Sequence, residues 1–231
     1  MPEAEARSRE RVSRWLAWTA AAVLGLPIVL VVVYRFVAPP VTPLMLLRLA
    51  QGDGMERRWV PIEAIAPALE RAVIAAEDDN FCRHHGFDWQ AIDAAIDRYE
   101  EGGRLRGAST ISMQTAKNVF LWPGRDFVRK GLEAGLTVLI EAIWGKRRIL
   151  EVYLNVAEWG RGLFGAEAAA RRYFNKAAAA LSPREAAALA AILPAPRRWS
   201  PLSPRGHVAA RIRMIEVRMR QVLVIGQRVC R

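Results

Sequence analysis

The 231-residue sequence predicts a mainly α-helical protein that carries one N-terminal transmembrane helix. Apolar residues recur three and four positions apart over most of the chain, which is the period of a helix with one buried face. No stretch of any length shows the alternation of apolar and polar residues that is typical of a half-buried strand. A long uncharged segment near the N-terminus is the third observation, and it predicts the membrane helix.

The uncharged segment runs from Trp15 to Tyr34. A run of about 20 apolar residues can cross the hydrocarbon core of a bilayer, and it is longer than the apolar region of a cleaved signal peptide. Four arginines precede it, which by the positive-inside tendency places the N-terminus in the cytoplasm. We therefore expect a single-pass protein of the inner (cytoplasmic) membrane with a cytoplasmic N-terminus (1–14), a transmembrane helix (15–37), a juxtamembrane segment (38–58) and a periplasmic domain (59–231).

Helical patterning continues after the proline-rich break at residues 39–43 and a short apolar segment, Leu44 to Leu47. The helices that the periodicity predicts cover residues 61–75, 88–100, 109–120, 127–144, 146–155, 166–173, 183–193 and 204–223. Ser182 and Glu185 have the spacing of a capping box, with Pro183 at the first helical position, so this helix start is the best defined.

The chain has a net charge of +11, which indicates an anionic partner such as nucleic acid, anionic lipid or a phosphorylated substrate. The predicted membrane anchor argues against nucleic acid. Cys82 and Cys230 lie far apart and show no metal-type spacing, so the compartment permits a disulfide but the pattern does not indicate one.

The segment from Glu77 to Gly86 is the first candidate for a functional site. It places carboxylates and imidazoles directly after the apolar run 72–76, where the pattern predicts burial. A buried carboxylate is costly unless the site uses it. A helix end with ordinary solvated acids is the alternative. Zinc at His84 and His85 is disfavoured because adjacent histidines point apart and no HExxH spacing is present.

Two further segments carry chemistry. On the predicted helix 109–120, Ser109, Gln114 and Lys117 can line one groove, and hydroxyl, amide and ammonium groups suit a sugar joined to phosphate. Ser109 alone could instead be an N-cap. Downstream, Arg129 and Glu133 lie one turn apart, so they form either a surface ion pair or, with neighbouring cations, a clamp for a diphosphate leaving group.

Residues 160–165 spell GxGxxG, but a helix rather than a strand is predicted before them, so we expect a glycine-rich turn and not a dinucleotide site.

Taken in order, five blocks resemble the family 51 glycosyltransferases, the peptidoglycan polymerases, and in particular the monofunctional members that lack a transpeptidase domain. The blocks are Glu77-Asp78-x-x-Phe81-x-x-His84-x-Gly86, residues 107–118, Arg129-Lys130-x-x-Glu133, residues 146–155 and residues 165–174. The resemblance covers nearly all of the chain from Trp59 to Pro201. One position departs from the family pattern: Met113 stands where the first of two successive glutamines is usual, so an amide contact is missing.

The resemblance implies a lysozyme-like helical glycosyltransferase domain that acts on lipid II and the growing glycan strand at the membrane. It implies that Glu77 is the general base and that Glu133 is the second carboxylate, which organises the cations or a divalent ion around the diphosphate. The substrate-binding positions that it implies are Ser109, Thr110, Gln114, Lys117, Arg125, Arg129 and Lys130. No organic cofactor is expected, and the divalent cation would be magnesium or manganese.

Membrane lipids are expected partners, other cell-wall synthesis proteins are candidates, and nucleic acid is not expected. The cationic C-terminal helix that contains Arg211 and Arg213 is either a lipid-contacting surface or a plain solvated face. Two alternative functions stay open: a membrane-anchored, muramidase-like glycan hydrolase and a non-enzymatic scaffold for cell-wall assembly. The cationic cluster argues against the hydrolase, because cleavage of an uncharged glycosidic bond does not need it.

Overall fold

A computed structural model describes residues 14–15, 18, 25–103, 109–124, 126–222, 224–225 and 228–230. It divides into two units, residues 1–37 and residues 38–231, and each is described by itself. The described part of the first unit contains helix α1 over residues 25–34. Within the described ranges, no helix is both long enough and apolar enough to cross a membrane.

The second unit is mainly helical, as predicted. Its α-helices are α2 (Pro43–Ala50), α3 (Pro67–Glu77), α4 (Trp89–Glu100), α5 (Ile111–Phe120), α6 (Phe127–Val156), α7 (Ala166–Phe174), α8 (Pro183–Ile192) and α9 (Gly206–Arg218). Single turns of 3-10 helix cover Ile62–Ala64 and Ala178–Ala180.

Side-chain caps and glycine explain where several helices begin and end. The capping box at Ser182 and Glu185 is confirmed, with both reciprocal hydrogen bonds present. Helix α6 is interrupted at Gly145, whose φ of 72° is not helical, and this break confirms the two predicted helices on either side. Helix α5 begins after Thr110, whose side chain accepts from the Met113 N–H, so Thr110 and not Ser109 is the N-cap.

Two predicted helices are longer than the observed ones. The helix predicted over 61–75 begins only at Pro67, because Ala66 before the proline has extended ψ (130°). The helix predicted over 204–223 ends at Arg218. The C-terminal residues that follow include two short strands that pair antiparallel, β4 (Val224–Ile225) and β5 (Arg228–Val229).

The sequence prediction missed a small three-stranded sheet. Its strands are β1 (Glu56–Arg57), β2 (Glu158–Gly160) and β3 (Leu163–Phe164), in the order β1-β3-β2. Strand β1 pairs with β3 in parallel, and β2 pairs with β3 antiparallel. Strands of two or three residues are too short to show an alternating pattern. The GxGxxG segment lies here: Gly160 ends β2, residues 161–162 form the turn, and Leu163 and Phe164 are β3. The expected turn is present, but a short strand lies between it and the helix that was predicted to precede it.

The core that positions the site is built on α8. Helix α3 packs against α8, and α8 packs in turn against α9. All residues of α8 from Ala186 to Ala191 are buried, and all of them except Leu189 are alanines. Small side chains let neighbouring helices approach closely. The C-terminal end of α3, which carries Glu77, is therefore held close to α9.

A disulfide joins Cys82 to Cys230, with the two Cα atoms 5.3 Å apart. It ties the loop that follows α3 to the residue after β5, across 148 positions of sequence. The sequence pattern did not indicate this pairing, because the two cysteines are distant in sequence and each stands alone.

Candidate active site

Glu77 is the last residue of α3, and both of its carboxylate oxygens are hydrogen-bonded. The Gln114 amide Nε2 of α5 donates to Oε2 at 3.1 Å. The Arg211 guanidinium of α9 donates to Oε1 at 3.0 Å, and the same nitrogen also donates to the Ala76 carbonyl at 3.1 Å. Glu77 therefore lies where three helices meet, and not at a solvated helix end.

Burial raises the pKa of the Glu77 carboxyl, because the charged form loses its hydration. The hydrogen bond from Gln114 and the positive charges of Arg211 and Lys117 oppose this rise. A general base works best when its pKa lies close to the working pH, so a raised value suits the role that the resemblance implies.

Gln114 is oriented by a second contact. The Tyr153 hydroxyl of α6 donates to its Oε1 at 3.2 Å. Burial raises the pKa of Tyr153 well above its usual value, so the phenol keeps its proton and remains a donor. With Oε1 accepting from Tyr153, the amide nitrogen is the group that faces Glu77.

The loop after Glu77 is held by a network of buried polar groups. Both Asp78 oxygens accept from His84 Nε2, at 2.9 and 3.0 Å, and Oδ2 also accepts from the Ile111 N–H at 2.9 Å. The Gly86 N–H donates to His84 Nδ1, which fixes the neutral tautomer with its proton on Nε2. The Thr110 hydroxyl donates to the Gly86 carbonyl at 2.6 Å.

This network makes His84 a structural histidine bonded within a turn. His85 is exposed. Among the residues that the structure describes, no group of three or more His, Cys, Asp or Glu side chains is arranged to hold a metal ion.

Glu133 is a buried carboxylate, 3 % exposed, that is paired with two cations. Arg129 Nη1 and Lys130 Nζ each lie 2.5 Å from one of its oxygens. Arg129 is buried as well, so the alternative of a surface ion pair is wrong. The Lys130 side chain is 45 % exposed, so the cluster has one face open to a ligand.

Lys117 is influenced electrostatically by both carboxylates. Burial lowers the pKa of the Lys117 ammonium group, and the positive charges of Arg129 and Lys130 lower it further. The negative charge of Glu133 raises this pKa, and that of Glu77 raises it more weakly. One lysine thus feels the charge of both acidic residues and of both cations that pair with Glu133. This arrangement is a cationic surface beside a carboxylate whose pKa is raised.

The remaining predicted site residues have different positions. Thr110 is buried and caps α5, whereas Ser109 is exposed. Arg125 lies outside the described residues. Met113 is buried on α5, so an apolar side chain suits its position.

Arg211 is the site residue that sequence reasoning missed. It lies 134 residues from Glu77, and the only signal at its position was the cationic character of its helix.

Comparison with known proteins identifies the family of this chain. A family model described as "Transglycosylase" matches residues 45–220. A protein of Rhodospirillum centenum called biosynthetic peptidoglycan transglycosylase is 60 % identical over 223 residues, which cover 95 % of this chain and 96 % of the relative. A protein of the same name from Caulobacter vibrioides is 57 % identical over 189 residues, which cover 82 % of each chain. Another, from Xanthomonas axonopodis pv. citri, is 50 % identical over 228 residues, which cover 94 % of this chain and 93 % of the relative. The chain belongs to the Transglycosylase family.

Proposed function

We propose that this protein is a peptidoglycan glycosyltransferase, which polymerises lipid II into β-1,4-linked glycan strands and releases undecaprenyl diphosphate for bacterial cell-wall synthesis. The observation that carries the proposal is a pair of acidic residues in different environments. Glu77 is half-buried and accepts from Gln114 and Arg211, and burial raises its pKa. Glu133 is fully buried and is paired with both Arg129 and Lys130. Such a difference separates a proton-accepting group from a charge-organising group.

The reaction is a single displacement with inversion. The Glu77 carboxylate takes the proton from the 4-hydroxyl of the acceptor N-acetylglucosamine as that oxygen attacks C1 of the donor N-acetylmuramic acid. The bond from C1 to the α-linked diphosphate breaks, and the diphosphate leaves with the electron pair. The product has a β-1,4 bond and Glu77 holds one proton, which it must lose before the next cycle.

The cations stabilise the leaving group. Negative charge grows on the diphosphate in the transition state, and donors fixed in advance lower the barrier. Lys117, Arg129 and Lys130 supply these donors, and Arg125 is a further candidate. Burial, and less strongly the neighbouring cations, lower the pKa of Lys117, so a bound anion would favour its charged form.

The described residues do not form a cage for a divalent cation. Both Glu133 oxygens are already paired with protein cations, and no second carboxylate completes a ligand set with Glu133 among the described residues. A magnesium or manganese ion would need most of its ligands from the diphosphate and water.

Two other functions are less well supported. A muramidase-like hydrolase would use two carboxylates but not the cationic cluster around Glu133. A non-enzymatic scaffold would have no use for a buried carboxylate whose pKa is raised, because such a group costs folding free energy.

We further propose that the catalytic unit lies on the periplasmic side of the inner membrane, anchored by the uncharged segment from Trp15 to Tyr34 with the N-terminus in the cytoplasm. A substrate with a long lipid tail must be met at the bilayer. The exposed side chains of Leu46 and Leu49 on α2 support contact of the catalytic unit with lipid.

The test uses the full chain in detergent with labelled lipid II. Wild type is expected to produce glycan polymer, and Glu77→Gln is expected to abolish it. Asp97→Asn, which changes an exposed acid of α4, is the matched control and should retain the wild-type rate. Wild-type activity in Glu77→Gln would show that the assignment of Glu77 as the general base is wrong. Shortening of existing glycan would favour the hydrolase, and inactivity on both substrates would favour the scaffold.

A further inference from the structure

We infer that Arg211 is a positioning residue for the general base: it fixes the orientation of the Glu77 carboxylate and keeps it ionised while the donor substrate is bound. The inference rests on the proposed role of Glu77. It adds a function for a helix, α9, that contributes no other residue to the proposed site.

Arg211 is anchored independently of the carboxylate. Its Nη2 donates to the Ala76 carbonyl, which belongs to the last turn of α3. The last four carbonyl groups of a helix have no partner within the helix, and a cation near them interacts favourably with the helix dipole. The guanidinium therefore has a reason to remain at this helix end whatever the ionisation state of Glu77.

The carboxylate is held from two sides. Arg211 donates to Oε1 at 3.0 Å, and Gln114 donates to Oε2 at 3.1 Å. Two donors on two oxygens restrict rotation of the carboxylate plane, and each oxygen keeps a lone pair that can accept a proton. A base that is fixed in this way does not have to be ordered when the acceptor sugar arrives.

The charges around Glu77 give Arg211 a second task. The groups that face or adjoin Glu77 are Gln114 and Lys117 from α5, Tyr153 from α6, Arg211 from α9 and Asp78 next in the chain. Burial raises the pKa of Glu77, and Arg211 and Lys117 are the cations that oppose the rise. In the proposed mechanism Lys117 binds the diphosphate, whose negative charge offsets its own. Arg211 is then the cation left to keep Glu77 ionised.

The same charge helps to reset the base. After the displacement, Glu77 is neutral and lies beside a guanidinium that favours the carboxylate form. The proton is therefore released to water, and the ionised base is restored before the next transfer.

The test compares Arg211→Gln and Arg211→Lys with Arg213→Gln, a matched change to an exposed arginine of the same helix. The rate of lipid II polymerisation is measured in detergent from about pH 5 to pH 9. For Arg211→Gln, the acid limb of the profile should move to higher pH, so that the ratio of the rate at about pH 6 to that at about pH 8 falls roughly threefold to tenfold below wild type. Arg211→Lys should restore much of the ratio, and Arg213→Gln should leave the profile unchanged.

A second measurement needs no substrate. The Glu77 carboxyl carbon is titrated by carbon-13 NMR, with Glu77→Gln used to assign its signal. The midpoint should move to higher pH in Arg211→Gln and not in Arg213→Gln. An equal loss of rate at every pH, with an unchanged titration of Glu77, would overturn the inference and leave the base assignment intact. Wild-type polymerisation by Glu77→Gln would instead overturn the proposed function on which the inference rests.

Discussion

Replacing Asp78 should reveal a structural acid directly beside the proposed catalytic one. The Asp78 side chain is 1 % exposed and accepts hydrogen bonds from His84 Nε2 and the Ile111 N–H. Hydrogen bonds to a charged group contribute about 1.5–3 kcal/mol each, and a buried donor left without a partner costs about 1–3 kcal/mol. Asp78→Ala removes both acceptors, so we expect a loss of about 4 kcal/mol in the free energy of unfolding.

Asp78→Asn provides a milder form of the same perturbation. Its carbonyl oxygen can still accept from the Ile111 N–H, but its amide group then faces the His84 Nε2–H, where donor meets donor. If the imidazole changes tautomer, the bond from the Gly86 N–H to Nδ1 is lost instead. In both cases one contact is lost, so we expect a decrease of about 2 kcal/mol.

The assay is urea denaturation of the detergent-solubilised protein, followed by tryptophan fluorescence. Asp79→Asn is the matched control, because the Asp79 side chain is 55 % exposed and pairs with Arg218 only at the surface. Its effect should stay within about 0.5 kcal/mol. If Asp78→Asn is as stable as Asp79→Asn, the network described for the loop does not hold it, and the structural role of Asp78 is refuted.

Three further changes test other parts of the site. Because burial raises the pKa of Glu77 in the folded state, ionising Glu77 costs folding free energy that is absent below its unfolded-state pKa and complete above its folded-state pKa. Glu77→Gln loses one acceptor at every pH, but its urea midpoint relative to wild type should be higher at about pH 8 than at about pH 5; an unchanged or lower relative midpoint at about pH 8 would contradict this. Glu133→Gln leaves buried Arg129 uncompensated and should destabilise the protein by about 3–5 kcal/mol, measured by urea denaturation; a loss under about 1 kcal/mol would mean that the pair is not buried in solution. Cys230→Ser should lower the free energy of unfolding by about 2–4 kcal/mol, and wild type treated with reductant should have the same thermal midpoint as this variant. Equal thermal midpoints of wild type with and without reductant would argue against the disulfide.

Local sequence signals predicted the parts of the molecule that local physics determines. The capping box at Ser182 and the break at Gly145 were predictable because hydrogen bonds and backbone conformation within a few residues fix them. The burial of Glu77 followed from the apolar run before it. Arg129, Lys130 and Glu133 share one turn of helix, so their proximity was visible as spacing.

Contacts between distant segments were not predictable in this way. Arg211 reaches Glu77 because α3 and α9 both pack on α8, and no periodicity encodes that arrangement. Strand β1 pairs with β3 across more than a hundred positions, and the strands are too short for a pattern. Cys82 and Cys230 meet only after the whole unit has folded.

The alanine-rich helix α8 has a consequence for catalysis although it contributes no group to the site. It packs against both α3, which carries the proposed base, and α9, which carries its arginine, and these two helices also contact each other directly. The alanines of α8 are buried, so the size of their side chains limits how closely the helices approach. A larger side chain at a buried alanine of α8 would overpack these contacts and shift the helices relative to one another. A hydrogen bond of 3.0 Å tolerates little such displacement. The pKa of Glu77 therefore depends on the size of side chains that do not contact the substrate. Small increases in side-chain size in α8 should shift the pH profile of the rate while the protein is still folded.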